Sequence, residues 1–136
     1  MRWRVSVLPV LLCLALLCGC KGSSLPAGMD EDALLEAGQA VALLLVDGDY
    51  DAVHAMFRED VAESLSAGDI EALVVKQLSG VGDYRQISGR MTTGQSSNGE
   101  DYGVAVLYCD FTKDNVLFRL AFDPDMALIG LEVKKQ

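Results

Sequence analysis

His54 is the single histidine of the chain and the side chain best suited to exchange protons near neutral pH. Its helical spacing from Tyr50 and Phe57 directs the imidazole toward the core or toward a pocket beneath a predicted sheet. Paired with Tyr108 or Asp110, it would act as a general acid or base. We favour a hydrogen-bonded core histidine instead, because sequence spacing fixes no second polar group beside it.

Asp47, Asp49 and Asp51 copy the first ligand positions of a calcium-binding loop. The sixth position of such a loop needs glycine and here holds Ala52, and the twelfth needs glutamate and holds Arg58. Helix physics explains the same carboxylates, since negative charge is favourable at a helix N-terminus. We therefore expect no bound metal, and no sequence motif suggests a cofactor.

Arg119 and Tyr108 lie on predicted strands and are candidates for ligand contact. Arg119 stands opposite the apolar face of its strand, either on the solvent side or at a cavity mouth, where it would bind an anionic ligand. We favour the solvent side, which is usual for arginine on a half-exposed sheet. Tyr108, like Tyr102 and Phe111, is interpreted first as cross-strand packing and second as a stacking surface.

A short apolar run near the N-terminus ends in Leu17-Cys18-Gly19-Cys20, behind the charged residues Arg2 and Arg4. A spanning helix needs about 20 apolar residues, which is more than this run contains, and no Ala-x-Ala site for ordinary secretory cleavage follows it. Residues 1–20 resemble the bacterial lipoprotein signal family. The resemblance implies that residues 1–19 are a signal peptide and that the thiol of Cys20 is lipidated.

Lipidation of Cys20 predicts an extracytoplasmic protein anchored to the cell membrane or the outer membrane, because acyl chains such as palmitate hold it there. Nine basic and 20 acidic residues follow Cys20, which leaves the mature chain with a net charge of −11. Such a body is repelled by nucleic acid and by anionic lipid surfaces. The membrane is therefore an expected partner through the lipid alone, and nucleic acid is excluded.

Cysteine usage fits this picture. Cys13 and Cys18 leave with the signal peptide and Cys20 carries the lipid, so the mature chain retains Cys109 alone. No basic residue adjoins Cys109 to lower its pKa, and its neighbours are apolar. We therefore expect a buried core thiol and not a nucleophile.

Residues 20–29 are rich in Gly, Ser, Pro and Ala and are predicted to form a flexible, lipidated tether, and residues 30–136 a single domain. The first half of the domain has helical periodicity. One helix starts at Asp30 and ends at Gly48, and a second starts at Asp49. Capping boxes at 60–63 and 66–69 predict a further turn and a last helix that ends at Gly80.

After Gly82 the apolar period changes to two, which predicts strands. The strands are expected near residues 84–93, 101–112, 115–123 and 127–134, with a long hairpin loop at 94–99 and shorter turns at 113–115 and 123–125. Helices followed by a continuous meander indicate an α+β fold, with N-terminal helices packed on one face of a curved four-stranded antiparallel sheet.

The run 47–53, with Met56-Phe57, Val61, Leu65, Leu78 and Gly82, resembles domain of unknown function 3887. That family is similar to the nuclear-transport-factor-2-like cone, in which a curved sheet wraps helices around a pocket. These are packing and capping positions, so the resemblance implies a fold and no activity. Members occur beside α/β-hydrolase domains, but this chain has no Gly-x-Ser-x-Gly nucleophile elbow.

The function expected from these patterns is a noncatalytic binding module for a small apolar molecule, a peptide or a protein partner at the envelope surface. The open sheet face is the expected contact, and a homodimer through that face is an option. The alternative is a pocket enzyme of the isomerase or dehydratase kind that uses His54 or a sheet carboxylate. A filled cone with an exposed apolar sheet would favour partner binding, and converging polar groups in a cavity would favour the enzyme.

Overall fold

The computed structural model describes residues 24–136, which form four helices followed by a four-stranded antiparallel sheet. The helices are α1 (Glu31–Asp47), α2 (Tyr50–Met56), α3 (Glu59–Ala62) and α4 (Ala67–Leu78). The strands, in sheet order, are β1 (Tyr84–Ser97), β2 (Glu100–Phe111), β3 (Asn115–Phe122) and β4 (Leu128–Lys135). The predicted α+β architecture is confirmed. Within residues 24–136, no helix has the length and apolar content needed to cross a membrane.

Helix α1 begins and ends at the residues that its sequence indicates. The Asp30 side chain accepts a hydrogen bond from the backbone N–H of Ala33 at 2.9 Å, which caps the first turn. Gly48 ends the helix in the left-handed conformation, with φ 77°. Between these caps, Leu34 and Val41 are fully buried against the sheet. Gly38 lies between them and allows the helix backbone to approach Ala105 of β2.

Asp49 and Ser66 cap α2 and α4 as predicted, and Ser66 forms a full capping box with Asp69. The predicted capping box at Asp60 and Glu63 is wrong. Helix α3 begins one residue after Arg58 and has no side-chain cap. The physical reason is competition, because the Asp60 carboxylate binds the Arg58 guanidinium instead of the helix backbone.

The hairpin between β1 and β2 is tighter than the sequence prediction. Strand β1 continues to Ser97, and Asn98-Gly99 alone makes the turn, with positive φ angles of 54° and 79°. Two residues with positive φ define a type I′ turn, which matches the twist of the flanking strands. The predicted loop at 94–99 is therefore wrong, because Gln95 and Ser96 pair with Tyr102 and Asp101 of β2.

The core lies between the helices and one face of the sheet. Alternate residues of the two central strands point into it, and they are packed against buried side chains from the helices. The helix-facing side chains of the central strands are Ala105, Leu107, Cys109, Phe111, Val116, Phe118, Leu120 and Phe122. Phe118 and Phe122 are among the largest fully buried side chains and fill the space beneath the helices.

The opposite side of the sheet, which we call the open face, carries the other alternation. Its central residues are Val104 and Val106 of β2, which are buried but do not belong to the core packed against the helices. Arg119 and Ala121 of β3 lie beside them in register. The sheet therefore separates two distinct surfaces, one filled by helices and one not covered by them.

Residues 24–29 pack onto the domain, although the sequence predicts that they belong to a flexible tether. Leu25 and Met29 are partly buried against the core. Met29 closes a turn by donating its backbone N–H to the carbonyl of Pro26 at 3.1 Å. The structure differs from the prediction because two apolar side chains in a polar segment suffice to fix it. Cys20 and the signal sequence lie outside the described residues.

Candidate functional site

The open face presents an apolar stripe with two large exposed side chains at one end. Tyr108 of β2 is 42% exposed and Met91 of β1 is 48% exposed. The ring of Tyr108 lies over Gly89 of β1, where an added Cβ would be 3.3 Å from the ring. This packing holds the ring on the sheet and leaves its outer side free. Val104 and Val106 continue the stripe along β2, and neighbouring strands shield them from solvent.

A polar rim borders the stripe on the β3–β4 side. The Nε of Arg119 lies 3.6 Å from a carboxylate oxygen of Glu132, and both side chains are solvent-exposed. Together with Tyr102 and Gln95, which share a 3.0 Å hydrogen bond, this pair lines a shallow depression of about 180 Å³. Arg119 thus lies on the solvent side, at the rim of this depression. Its distance from Glu132 leaves the guanidinium available to an anionic group.

A second depression lies at the other end of the stripe. It has a volume of about 430 Å³ and is bordered by Tyr108, Asp110, Ser88 and Gln136. The Asp110 carboxylate accepts a hydrogen bond from the Gln86 side chain at 3.0 Å. The structure therefore brings two of the candidate residues, Tyr108 and Asp110, to the same face and the same depression.

His54 does not join them. It lies on α2, in the helical layer on the other side of the sheet, where its Nε2 donates to the backbone carbonyl of Ala62 at 3.1 Å. The sheet separates it from Tyr108 and Asp110 on the open face. The geometry matches the favoured interpretation of a hydrogen-bonded histidine between helices, and a pair between His54 and either candidate partner is not formed.

Cys109 is a core thiol, as predicted. It is 1% exposed, and the pKa of its thiol is raised to about 11, chiefly by burial and secondarily by the charge of Asp110. A thiol with a raised pKa is a poor nucleophile at neutral pH. The buried side chain packs between Ile87 and Val116, its partners on the neighbouring strands.

The aspartates near α2 act in helix capping. Asp49 accepts the backbone N–H of Ala52 at 3.2 Å, as the first turn of a helix requires. Asp51 lies in that same first turn, where its charge is favourable. Within residues 24–136, no group of three or more His, Cys, Asp or Glu side chains is arranged to hold a metal ion.

Sequence reasoning missed Arg58, which has the densest polar contacts among the described residues. Its guanidinium binds Asp60 at 2.7 Å, Asp123 at 3.2 Å and Glu100. These hydrogen bonds, that to Asp60 first, raise the pKa of Arg58 further above its usual value, and they lower the pKa of Asp60. The carboxylates occupy the guanidinium, so Arg58 joins the helices to two turns of the sheet and does not bind a ligand.

No local pattern announces this cluster. Glu100 and Asp123 lie 42 and 65 positions from Arg58 along the chain, at the β1–β2 hairpin and the β3–β4 turn. Asp123 is 5% exposed, and its second oxygen accepts the backbone N–H groups of Asp125 and Ala127. A buried carboxylate satisfied on both oxygens is the expected form of a structural aspartate.

Comparisons with known proteins agree with the fold. The model of a family described as "Protein of unknown function (DUF3887)" matches residues 39–131, which confirms the predicted resemblance. No curated protein matches the chain. The NMR structure of a protein from Ruminococcus gnavus ATCC 29149 is similar, with a TM-score of 0.70 and 22% sequence identity. The similarity covers 82% of this chain and 96% of that one, and it establishes a shared fold.

Proposed function

Because this chain belongs to the DUF3887 family, whose description assigns no activity, we propose its function from the geometry of its own surfaces. The protein is a lipid-anchored bacterial envelope lipoprotein, and its domain is a noncatalytic module that binds a small molecule, a peptide or a protein partner. The open face is the contact surface. Tyr108 supplies its aromatic contact and Arg119 its positive charge.

The observation that carries this proposal is the contrast between the two faces of the sheet. The helix-facing side is filled by fully buried Phe118, Leu107 and Phe122, so the space that holds a pocket in a ligand-carrying cone is occupied by protein. The open face instead exposes Tyr108 and Met91. Large side chains of this kind favour association, since aromatic residues and methionine are enriched where proteins meet.

The noncatalytic character of the module is supported by the separation of the candidate groups. His54 binds a backbone carbonyl in the helical layer, whereas Tyr108 and Asp110 lie beyond the sheet. We also propose that the fold is the nuclear-transport-factor-2-like cone. Irregular pairing of β1 with β2 at Tyr84–Gln86 and at Ile87–Gly89 supports this, because bulges bend the strand that carries them.

Anchoring through Cys20 is tested by Cys20→Ser in the native host. Two acyl chains give stable membrane binding, whereas the acidic body by itself has no attraction for anionic lipid. We expect the variant to lose acyl labelling and to leave the membrane fraction. A Cys20→Ser protein that still fractionates with membranes after normal processing would overturn the anchoring part of the proposal.

Native mass spectrometry of the full chain, purified from its own membrane, tests the binding role. The expected result is a lipid mass on Cys20 and a bound molecule or a second protein chain. Tyr108→Glu should release the bound species, whereas Val75→Glu on the exposed side of α4 should retain it. A species that is unaffected by Tyr108→Glu refutes the open-face contact. For a homodimer, light scattering that shows only monomer is the corresponding negative result.

A further inference from the structure

The two edge strands of the sheet differ in how their outer backbone groups are satisfied. On β4, the carbonyl of Leu128 accepts the backbone N–H of Arg58 at 2.8 Å. The backbone N–H of Lys135, near the other end of the same strand, donates to the side chain of Gln77 at 3.2 Å. Among the described residues, the outer edge of β1 has no backbone hydrogen-bond partner from residue 85 to residue 97.

The free edge of β1 also lacks most of the features that prevent strand addition. Its irregular pairing is confined to the segment before Gly89, and from Gly89 to Ser97 it pairs with β2 without interruption. That segment contains no proline and no lysine, and Arg90 is its one charged residue. An uninterrupted, nearly uncharged edge is a template for another strand.

A groove runs beside this edge, between β1 and the outer flank of α1. Leu35, Gln39 and Leu43 are four residues apart and form one ridge of the helix. Asp32, Glu36 and Ala40 form the adjacent ridge. Together with Arg90 of β1, these two ridges enclose a volume of about 640 Å³. The floor of the groove is therefore apolar and its rim is charged.

We propose that the groove and the free edge of β1 together bind one extended peptide segment of a partner protein, which adds a fifth strand to the sheet. Backbone hydrogen bonds to β1 provide affinity, and alternate side chains of the peptide enter the groove. This site is separate from the open face, so it stands or falls independently of the proposed function.

The spacing of the elements favours a single strand over a second copy of this chain. Helix α1 packs chiefly on β2. A strand added to β1 lies about 9.6 Å from β2, at the distance where its side chains reach the flank of α1. A second copy paired through β1 would place its own α1 about 14 Å away, beyond the 8–10 Å of packed helices.

Charge defines the partner further. Asp32 and Glu36 lie on the groove rim, and neither forms an ion pair with another described residue. A lysine or arginine of the peptide therefore complements this rim, whereas an acidic peptide is repelled by it and by the strongly negative body. The groove spans about 16 Å from Asp32 to Leu43, which corresponds to about five residues of a strand.

The test uses the ¹⁵N-labelled full chain in detergent micelles and short synthetic peptides of alternating valine and threonine. One set carries a lysine at each position in turn, and the matched set carries a glutamate. We expect the lysine peptides to shift amide signals of β1 and α1 and to slow hydrogen exchange along β1. Peptides N-methylated at alternate backbone positions should not bind, because they cannot form the ladder.

Matched variants separate the groove from general effects. Ala40→Lys should weaken binding at least about tenfold, because it fills the groove and opposes a basic peptide. Ala72→Lys, at an exposed alanine on α4, should leave binding unchanged. Asp32→Asn with Glu36→Gln should weaken binding by about two- to fivefold. The proposal is overturned if no lysine peptide binds at millimolar concentration, if N-methylated peptides bind equally well, or if the shifts map to Tyr108 on the open face.

Discussion

Replacing Gly38 by alanine should destabilise the protein, although the same change stabilises most helices. Gly38 is buried in the middle of α1, and a Cβ built there would lie 2.6 Å from the Cβ of Ala105 on β2. Ordinary carbon contacts are about 3.5–4.0 Å, so the helix would have to move away from the sheet by about 1 Å. That movement would loosen the contacts of Leu34 and Val41, which are fully buried on either side.

The size of the effect is the difference between two terms. Crowding a packed core costs about 1–3 kcal/mol, and the higher helix propensity of alanine returns about 1 kcal/mol. We expect Gly38→Ala to lower the free energy of unfolding by about 1–2 kcal/mol, measured by urea denaturation of the chain from Ser24 onward. Gly68→Ala is the matched control, since its nearest neighbour would be 3.7 Å away, and it should be neutral or stabilising.

A double-mutant cycle identifies the contact responsible. Ala105→Gly removes the methyl group that Gly38→Ala meets, so the double variant should regain about 1 kcal/mol relative to the sum of the two single changes. The reasoning is refuted if Gly38→Ala is as stable as the parent protein, or if the two changes are additive. Either result would mean that α1 and β2 are not in the close contact described.

Three further predictions concern other sites. Hydrogen bonds from Ser66 lower the pKa of Asp69, so this carboxylate stabilises the fold above its usual pKa and the gain disappears as the pH falls through the lowered value. Urea midpoints for Asp69→Asn should therefore depend less on acidic pH than those of the parent protein. Cys109, with a thiol pKa of about 11, should react with a disulfide reagent only as fast as the protein opens, and a rate equal to that of free cysteine would contradict its burial. Gly99→Val should cost about 1–2 kcal/mol because its φ is 79°, whereas Ser97→Val in the adjoining strand should cost far less.

The sequence predicts the order of elements well because periodicity and capping are local. Asp30, Gly48 and the Ser66–Asp69 box act within four residues of themselves, and each lies where the structure has a helix end. The β1–β2 turn was harder, because a run of Gln and Ser is polar enough to suggest a loop. Only pairing with Tyr102 and its neighbours keeps that run in the strand, and strand pairing is a property of two segments.

The candidate site was predictable only as far as strand alternation reaches. Alternation correctly places Arg119 opposite the apolar face of β3, and it places Tyr108 and Asp110 together on one face of β2. It cannot tell on which side of the sheet a helical residue such as His54 lies. It is also blind to Arg58, whose partners are brought together by turns far apart in the sequence.

One consequence of the unequal sheet edges concerns self-assembly. Filaments built from folded sheets grow only if each added subunit offers a fresh edge for the next. Here Arg58 and Gln77 cap the outer backbone of β4, so a subunit joined through β1 presents no template at its far side. Polymerisation would stop after a single step, and a protein crowded on a surface can keep one reactive border without the hazard of fibre formation.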